Sequence, residues 1–542
     1  MQPYRTFRKR PPWSAVLAVA VAATLTFAQT SSSTADPADR GGPAVDLETA
    51  TVADLGKLLG ARKLSSEDLT QGYIDRISRL NSQGPSLNAV RALNPNALTE
   101  AKAADAILRR KGPHGPLVGI PVLLKDNIDV KGMPTTAGSV ALARSSPAVD
   151  APLVTGLKKA GAVILGKANL TEFANYLTSG MPGGYSSLGG QVLNPYDTSQ
   201  TPSGSSAGPG SAAAAGLAPL TVGSETSGSI LSPSAANSVV GIKPTVGLIS
   251  RTGIVPIAAS QDTAGPMTKT VADAAAQLTA MTGADPLDPA TAANPLVGHD
   301  FTRDLSKSAL KGARIGVVAS QVPAAGTDNR TLWDASLTAL QAQGATLVPV
   351  TLDTSGSIPG GSSVLSYEFK RDLNTYLSRL PGNAPVKTLA DVIAYNNAHA
   401  AAALKFGQVL ALASQAKDLA PGSADTVKYQ ADRAQDLLDS KSRIDAVMRD
   451  NTLTALLFAN SGSAGIGAKA GYPSISVPAG YQSANRRPFS IALLGQAWSE
   501  PTLVGYGYAY EQATKLRQPP SQLNPSAFVC AGKGGPRDSC AP

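Results

Sequence analysis

The chain has 542 residues, of which 43% are hydrophobic, 5% aromatic and 16% charged, with a formal net charge of +9. That length exceeds a minimal single core, so one large α/β domain or two or three smaller units is expected. The apolar content and the lack of a long charge block exclude a disordered chain.

Residues 1–28 read as a signal peptide. Arg5, Arg8, Lys9 and Arg10 form a basic start, and Trp13 to Ala28 carries no charge. That apolar run is short for a membrane span and ends near a small residue. An uncleaved anchor is the competing reading. Removing the segment takes away four positive charges and no negative ones, so +9 becomes +5. No Lys/Arg cluster interleaved with aromatics remains, which argues against nucleic-acid binding. Residues 29–45 read as a polar leader. A secreted or extracytoplasmic protein is expected, with no stable membrane association after cleavage.

Helices are predicted over Leu64 to Leu80 and Asn96 to Lys111. In the first, Ser65 with Asp68 resembles a capping box, and Leu69, Tyr73, Ile77 and Leu80 share one face. Val118 to Leu124 predicts a buried strand that ends in Lys125, Asp126 and Asn127. Alternating elements follow: helix Pro152 to Ala160, strand Ala162 to Leu165, helix 208–216, strand Pro219 to Val222 and helix Thr270 to Met281. Strand Arg314 to Val318, helix Asp328 to Gln343 and strand Ala345 to Val350 continue the pattern. Residues 364–450 read as a helical insertion. Strands return at Ala455 to Phe458, Ser474 to Val477 and Ser490 to Leu494, before a helix over Glu500 to Lys515. Such alternation argues for one large α/β domain over 46–520, with a central mixed sheet flanked by helices. The tail, 521–542, holds both cysteines, Cys530 and Cys540. Two cysteines cannot make a structural zinc site alone. In an exported protein they suggest a small disulfide loop, with two free thiols as the alternative. No cofactor and no metal ligand set is assigned.

The stretch Thr201 to Ile230 holds seven Ser, six Gly and six Ala, one acidic residue, Glu225, and no His, Lys or Arg. It packs little core and brings backbone and hydroxyls close to something. Two familiar motifs do not account for it. Gly161 to Lys167 spells GxxxxGK, but Ala168 stands where a metal-reaching Ser/Thr is required, and the segment is itself a predicted strand. Gly204 to Gly208 spells GxSxG around Ser206, but no strand precedes it, and the downstream His299 and His399 lie in unpromising settings. A neutral lysine can activate a hydroxyl instead. Lys125, directly after the apolar VGIPVLL, is the candidate, because burial lowers an amine's pKa.

Residues 118–136, 160–173, 201–213, 218–256, 260–273, 470–478 and 497–511 together resemble the amidase signature family, in order over about 50–515. The runs ETSGSI, KPTVGLISR and SQDTAGPM look closest to bacterial peptide amidases, which remove the C-terminal amide of peptides. The resemblance implies a fold of the same α/β class and a hydrolase that cleaves an amide C–N bond through an acyl-enzyme. It implies a triad of Lys125, Ser205 preceded by a cis peptide bond, and Ser229 as nucleophile. The N–H groups of Thr226, Ser227, Gly228 and Ser229 would form an oxyanion hole. Asp126, Asn127 and Ser206 are candidate supporting residues. The chain departs from the usual family pattern at Val118, Ser227 and Leu231, which stand for His, Gly and Arg; Ser227 is expected to narrow substrate approach. The substrate, a small-molecule or peptide amide, is not fixed by these motifs. Anilides, carbamates and nylon-type oligomers remain alternatives, as do an amidotransferase subunit and a non-catalytic exported binding protein of the same fold. The pocket is expected to draw on 181–200 and 364–450.

Overall fold

The computed structural model describes residues 45–528 apart from 111–113 and 383. The expected signal peptide, nearly all of the polar leader and both cysteines lie outside the described residues. The sheet's strands are β1 (Val90–Leu93), β2 (Pro121–Lys125), β3 (Val163–Ala168), β4 (Leu220–Glu225), β5 (Val240–Lys243) and β6 (Thr263–Thr268). They continue with β7 (Arg314–Val318), β8 (Thr346–Val350), β9 (Ala455–Ala459), β10 (Ser474–Tyr481) and β11 (Pro488–Leu494). All eleven join one sheet in the order β1-β3-β2-β4-β6-β5-β10-β11-β9-β7-β8.

Direction is mixed. Strand β2 runs parallel to both β3 and β4, and β7 runs parallel to β8 and β9. The pairs from β4 through β6, β5, β10 and β11 to β9 are antiparallel. Every residue of β2, β3 and β4 is buried. That burial explains why β2 reads as a continuous apolar run and not as an alternating one: helices cover both faces.

Local chemistry sets the helix ends. Ser65 caps Ser66–Asn81 by accepting from the Asp68 N–H at 2.9 Å. Pro152 opens Pro152–Lys159, where its missing N–H costs nothing. The all-buried helix Ala207–Ala214 is built from small residues because it lies against backbone. A Cβ at Gly208 would come within 2.2 Å of the Asn169 carbonyl oxygen and 2.5 Å of that of Ala89.

Several elements escape the sequence pattern. Strand β6 carries Gly265 and Pro266, residues that argue against a central strand. It is central nonetheless, and its ladder to β5 is confined to Met267 and Thr268, beyond the proline. Helix Ala464–Ala470 and strands β1 and β5 are likewise short and lack a clear period.

Residues 364–450 contain helices and no strand among the described residues, including a π-helical turn at Leu438–Ser442. Phe369, Leu373, Leu377, Val386 and Val392 there share an apolar cluster with Phe173, Leu177 and Ile257 of the main body. Polar ties reinforce it. Glu368 accepts from the Ser260 N–H at 3.0 Å, and Asp372 from the Ala259 N–H at 2.9 Å.

Leu123, fully buried in the middle of β2, is expected to cost about 2–5 kcal/mol when cut to Ala. Urea unfolding checks this as a lower midpoint with an unchanged slope.

Candidate active site

Parallel strands present their carboxyl ends on one edge, where open α/β sheets bind ligands. Neighbours β2 and β4 end there in Lys125 and in Ser224-Glu225. Lys125 is wholly buried. Its Nζ lies 2.7 Å from Ser205 Oγ and 2.9 Å from Ser224 Oγ, and it donates to the Ser224 carbonyl at 3.0 Å. Burial pushes this amine down from 10.5 to about 7, against the opposing pull of the Glu225 and Asp262 carboxylates. Near neutral pH a large fraction of it is uncharged.

The hydroxyls come from the small-residue stretch. The Gly204–Ser205 peptide is cis, the bond type the family resemblance implies at this position. A Cβ at Gly204 would stand 2.4 Å from Thr171 Oγ1, so only glycine fits. The Ser205 carbonyl accepts from the Thr171 N–H at 3.0 Å. Ser206 stands just before helix Ala207–Ala214 and grips Ser224 from both sides. Its Oγ donates to the Ser224 carbonyl at 3.0 Å and accepts from the Ser224 N–H at 3.2 Å. Asn127 Nδ2 donates to Ser224 Oγ at 2.9 Å. Asn127 and Ser206 therefore support the lysine through Ser224, a residue the sequence reading did not single out.

Asp126 does something else. It was expected beside Lys125, yet its buried carboxylate turns to the other side of β2. It meets Lys167 Nζ at 3.1 Å and Arg91 Nη2 at 3.3 Å, and Thr136 donates to it. Alternation along a strand explains this: consecutive residues point to opposite faces. The lysine of the false phosphate loop thus finds its role as a structural counter-ion inside β3.

The segment after β4 is held by Glu225, which accepts from the Ile230 and Leu231 N–H groups at 2.7 and 2.9 Å. Gly228 takes φ +90°, a left-handed value suited to glycine. Among the described residues, the N–H groups of Thr226, Ser227, Gly228 and Ser229 have no acceptor. The Thr226 hydroxyl donates to Asp262, which also accepts from the Ile257 and Ala258 N–H groups at 2.9 Å. Burial pushes Asp262 up to about 7. Ser227 is the one exposed residue of this turn. Its side chain sits on the open side.

Ser229 is brought close by backbone: its carbonyl accepts from the Ser206 N–H at 3.1 Å. Its hydroxyl has no hydrogen-bond partner among the described residues. The two downstream histidines are engaged elsewhere, His299 with Asp304 at 2.7 Å and His399 with the Tyr395 carbonyl at 2.9 Å.

A cavity of about 420 Å³ opens beside this edge. Asn127, Ser224, Glu225, Thr226 and Asp262 form its floor, and Asp372 to Pro381 of the helical insertion form one wall. Residues 181–200 do not line it, contrary to expectation. Asn194, Tyr196, Asp197 and Gln200 border a separate polar cavity, because the turn at 183–184 packs against Ser203 and Ala207.

The amidase family model matches residues 68–504. The chain belongs to the amidase family. A probable amidase of Arabidopsis thaliana is 40% identical over 487 residues, 88% of this chain and 92% of its own. The crystal structure of native peptide amidase from Stenotrophomonas maltophilia superposes with a TM-score of 0.82 at 43% identity, covering 87% of this chain and 98% of that one. A peptide amidase in complex with the competitive inhibitor chymostatin matches equally well, at 44% identity over 87% of this chain and 99% of that one. This amidase hydrolyses amide C–N bonds. Of the residues around its candidate site, Ser224 and Asp262 escaped the sequence reading, which named Glu225 without giving it a role. The one lone acidic residue in the small-residue stretch was the available signal for Glu225.

Asp126→Asn removes the buried counter-charge of Lys167 and Arg91 and is expected to cost about 3–5 kcal/mol. A loss below about 1 kcal/mol in urea unfolding would contradict the pairing.

Proposed function

We propose that this amidase is a serine amidohydrolase that works through an acyl-enzyme, with Lys125, Ser205 and Ser229 as its reacting side chains. One observation carries the reading. A wholly buried amine stands 2.7 Å from Ser205 Oγ, beside a turn whose four successive N–H groups are unclaimed.

The chemistry follows from these parts. Desolvation leaves Lys125 able to take a proton near neutral pH. Ser229 Oγ attacks the carbonyl carbon, and its proton passes through the Ser205 hydroxyl to the amine. Ser229 is tied to this segment by the Ser206 N–H donating to its carbonyl, and catalytic hydrogen bonds often tighten only when substrate binds. The carbonyl oxygen gains negative charge and turns to the free N–H groups of 226–229, where one such donor is worth about 2.7–4 kcal/mol. The C–N bond breaks as Lys125 returns the proton to the departing nitrogen. Water then attacks the Ser229 ester by the reverse relay, releasing the acid and restoring the hydroxyl.

The proposed substrate is the C-terminal amide of a peptide. Identity of 43–44% to peptide amidases over 87% of the chain supports it, as does a cavity of about 420 Å³. The basic start and short apolar run of residues 1–28 support an extracytoplasmic site of action. Incubating the protein with peptide amides, anilides and esters, and following ammonia or amine release, tests the substrate class. Release from anilides alone would reject peptide amides.

Two outcomes are expected. Ser229→Ala should lower kcat/KM by about 10⁴-fold or more and abolish labelling by serine-directed phosphonates; persistent labelling would move the nucleophile elsewhere. The reacting amine must be uncharged, so kcat/KM should rise with pH through about 7. Below that it should fall about tenfold per pH unit as Lys125 protonates. A profile flat down to pH 5 would contradict the lysine base.

A further inference from the structure

The cavity beside the site has a composition that the reaction itself does not require. We infer that it receives the side chain of the amide-bearing residue, and that it selects a large, uncharged, apolar one such as phenylalanine, leucine or methionine. This inference rests on the peptide-amide reading above and names the substrates within that class.

Location comes first. Ser224, whose Oγ touches the Lys125 amine, and Thr226, the first of the free N–H groups, both border the cavity. Whatever lies on the acyl side of the reacting carbonyl therefore has this space next to it. Its walls are chiefly aliphatic: Ile254, Val255, Ile257 and Leu380 within, Val149 and Leu287 at the mouth. Those last two are 68% and 69% exposed, an unusual cost for large apolar side chains in water. A pocket of several hundred Å³ lined this way binds by excluding water from apolar surface.

Most carboxylates in the wall are occupied, and Arg379 is exposed. Asp129 accepts from Tyr376 Oη at 2.7 Å, and Asp372 pairs with Arg371 at 2.7 Å. Asp288 pairs with Arg251, and Asp262 holds Thr226 and two N–H groups. None of these is free to greet a charged side chain. Their sign still matters: six carboxylates, Asp129, Asp150, Glu225, Asp262, Asp288 and Asp372, line the cavity with two arginines, Arg251 and Arg379, while Lys158 and Arg371 pair with Asp150 and Asp372 from outside the lining. A carboxylate entering this ring meets an excess of like charge, so acidic residues rank last.

The test uses the full chain and N-acetylated single-residue amides of Phe, Leu, Gly and Asp. One methylene in an apolar pocket is worth about 10–200-fold in kcat/KM. The phenylalanine and leucine amides should exceed the glycine amide by at least about tenfold, and the aspartate amide should fall below glycine. The same acyl series as p-nitroanilides reads the preference independently of the leaving group. Turnover of anilides alone would reject the peptide-amide reading yet still report on the pocket. Val149→Asp and Leu287→Asp, both at exposed positions that burial does not protect, should each lower the Phe-to-Gly ratio by about fivefold or more. A wild-type ratio near one, or a preference for aspartate, overturns the inference, as does an unchanged ratio in both variants.

Discussion

Everything at this site depends on keeping an amine dry. Lys125 follows four apolar residues of a strand that is covered on both faces, so its Nζ is carried to the carboxyl edge of the sheet without meeting water. An ammonium there has lost its hydration and is disfavoured. Two carboxylates, Glu225 and Asp262, act against this, but both are turned away from the amine. Glu225 holds the Ile230 and Leu231 N–H groups, and Asp262 holds the 257–258 turn and Thr226. Asp126, the next residue along, lies on the opposite face, neutralised by Lys167 and Arg91. Had it pointed the other way, Lys125 would be a salt-bridged cation with no lone pair to offer.

The same constraint explains the unusual composition of residues 201–230. Two backbone segments must crowd a buried amine from different directions. Gly204 fits against Thr171, Gly208 against β3's end, and Gly228 turns the chain so that four N–H groups stay unpaired. Larger residues would occupy the space that hydroxyls and a substrate oxygen need. Ser206 and Asn127 complete the arrangement by fixing Ser224, which in turn holds the amine. The amidase chemistry thus arises from small residues placed on rigid strand ends, with the helical insertion closing one wall of the adjoining cavity.

How much of this was legible in the sequence varies with the physics of each part. Strands buried on both faces, such as β2 and β7, announce themselves as apolar runs, and capped helices such as Ser66–Asn81 by period and Ser65. The motif set named Lys125 and Ser205, 80 positions apart, which the fold brings to 2.7 Å. What failed was direction and company. Asp126 was misplaced because a one-residue step on a strand reverses the face. Ser224 was overlooked because nothing local marks a serine that an amine will touch 99 positions away. Strand β6 was hidden because Gly265 and Pro266 contradict strand propensity, and tertiary pairing overrode them. The pocket wall from 364–450 was foreseen only as a region, since no pattern tells which helix face of an insertion will meet the site.

The most direct measurement is the protonation state of Lys125 itself. Lysine labelled with ¹³C at Cε and Cδ, assigned by the resonance missing in Lys125→Met, can be titrated by NMR in the free protein. The account predicts a midpoint near 7. A midpoint above about 10, the range of a solvated amine, would contradict it.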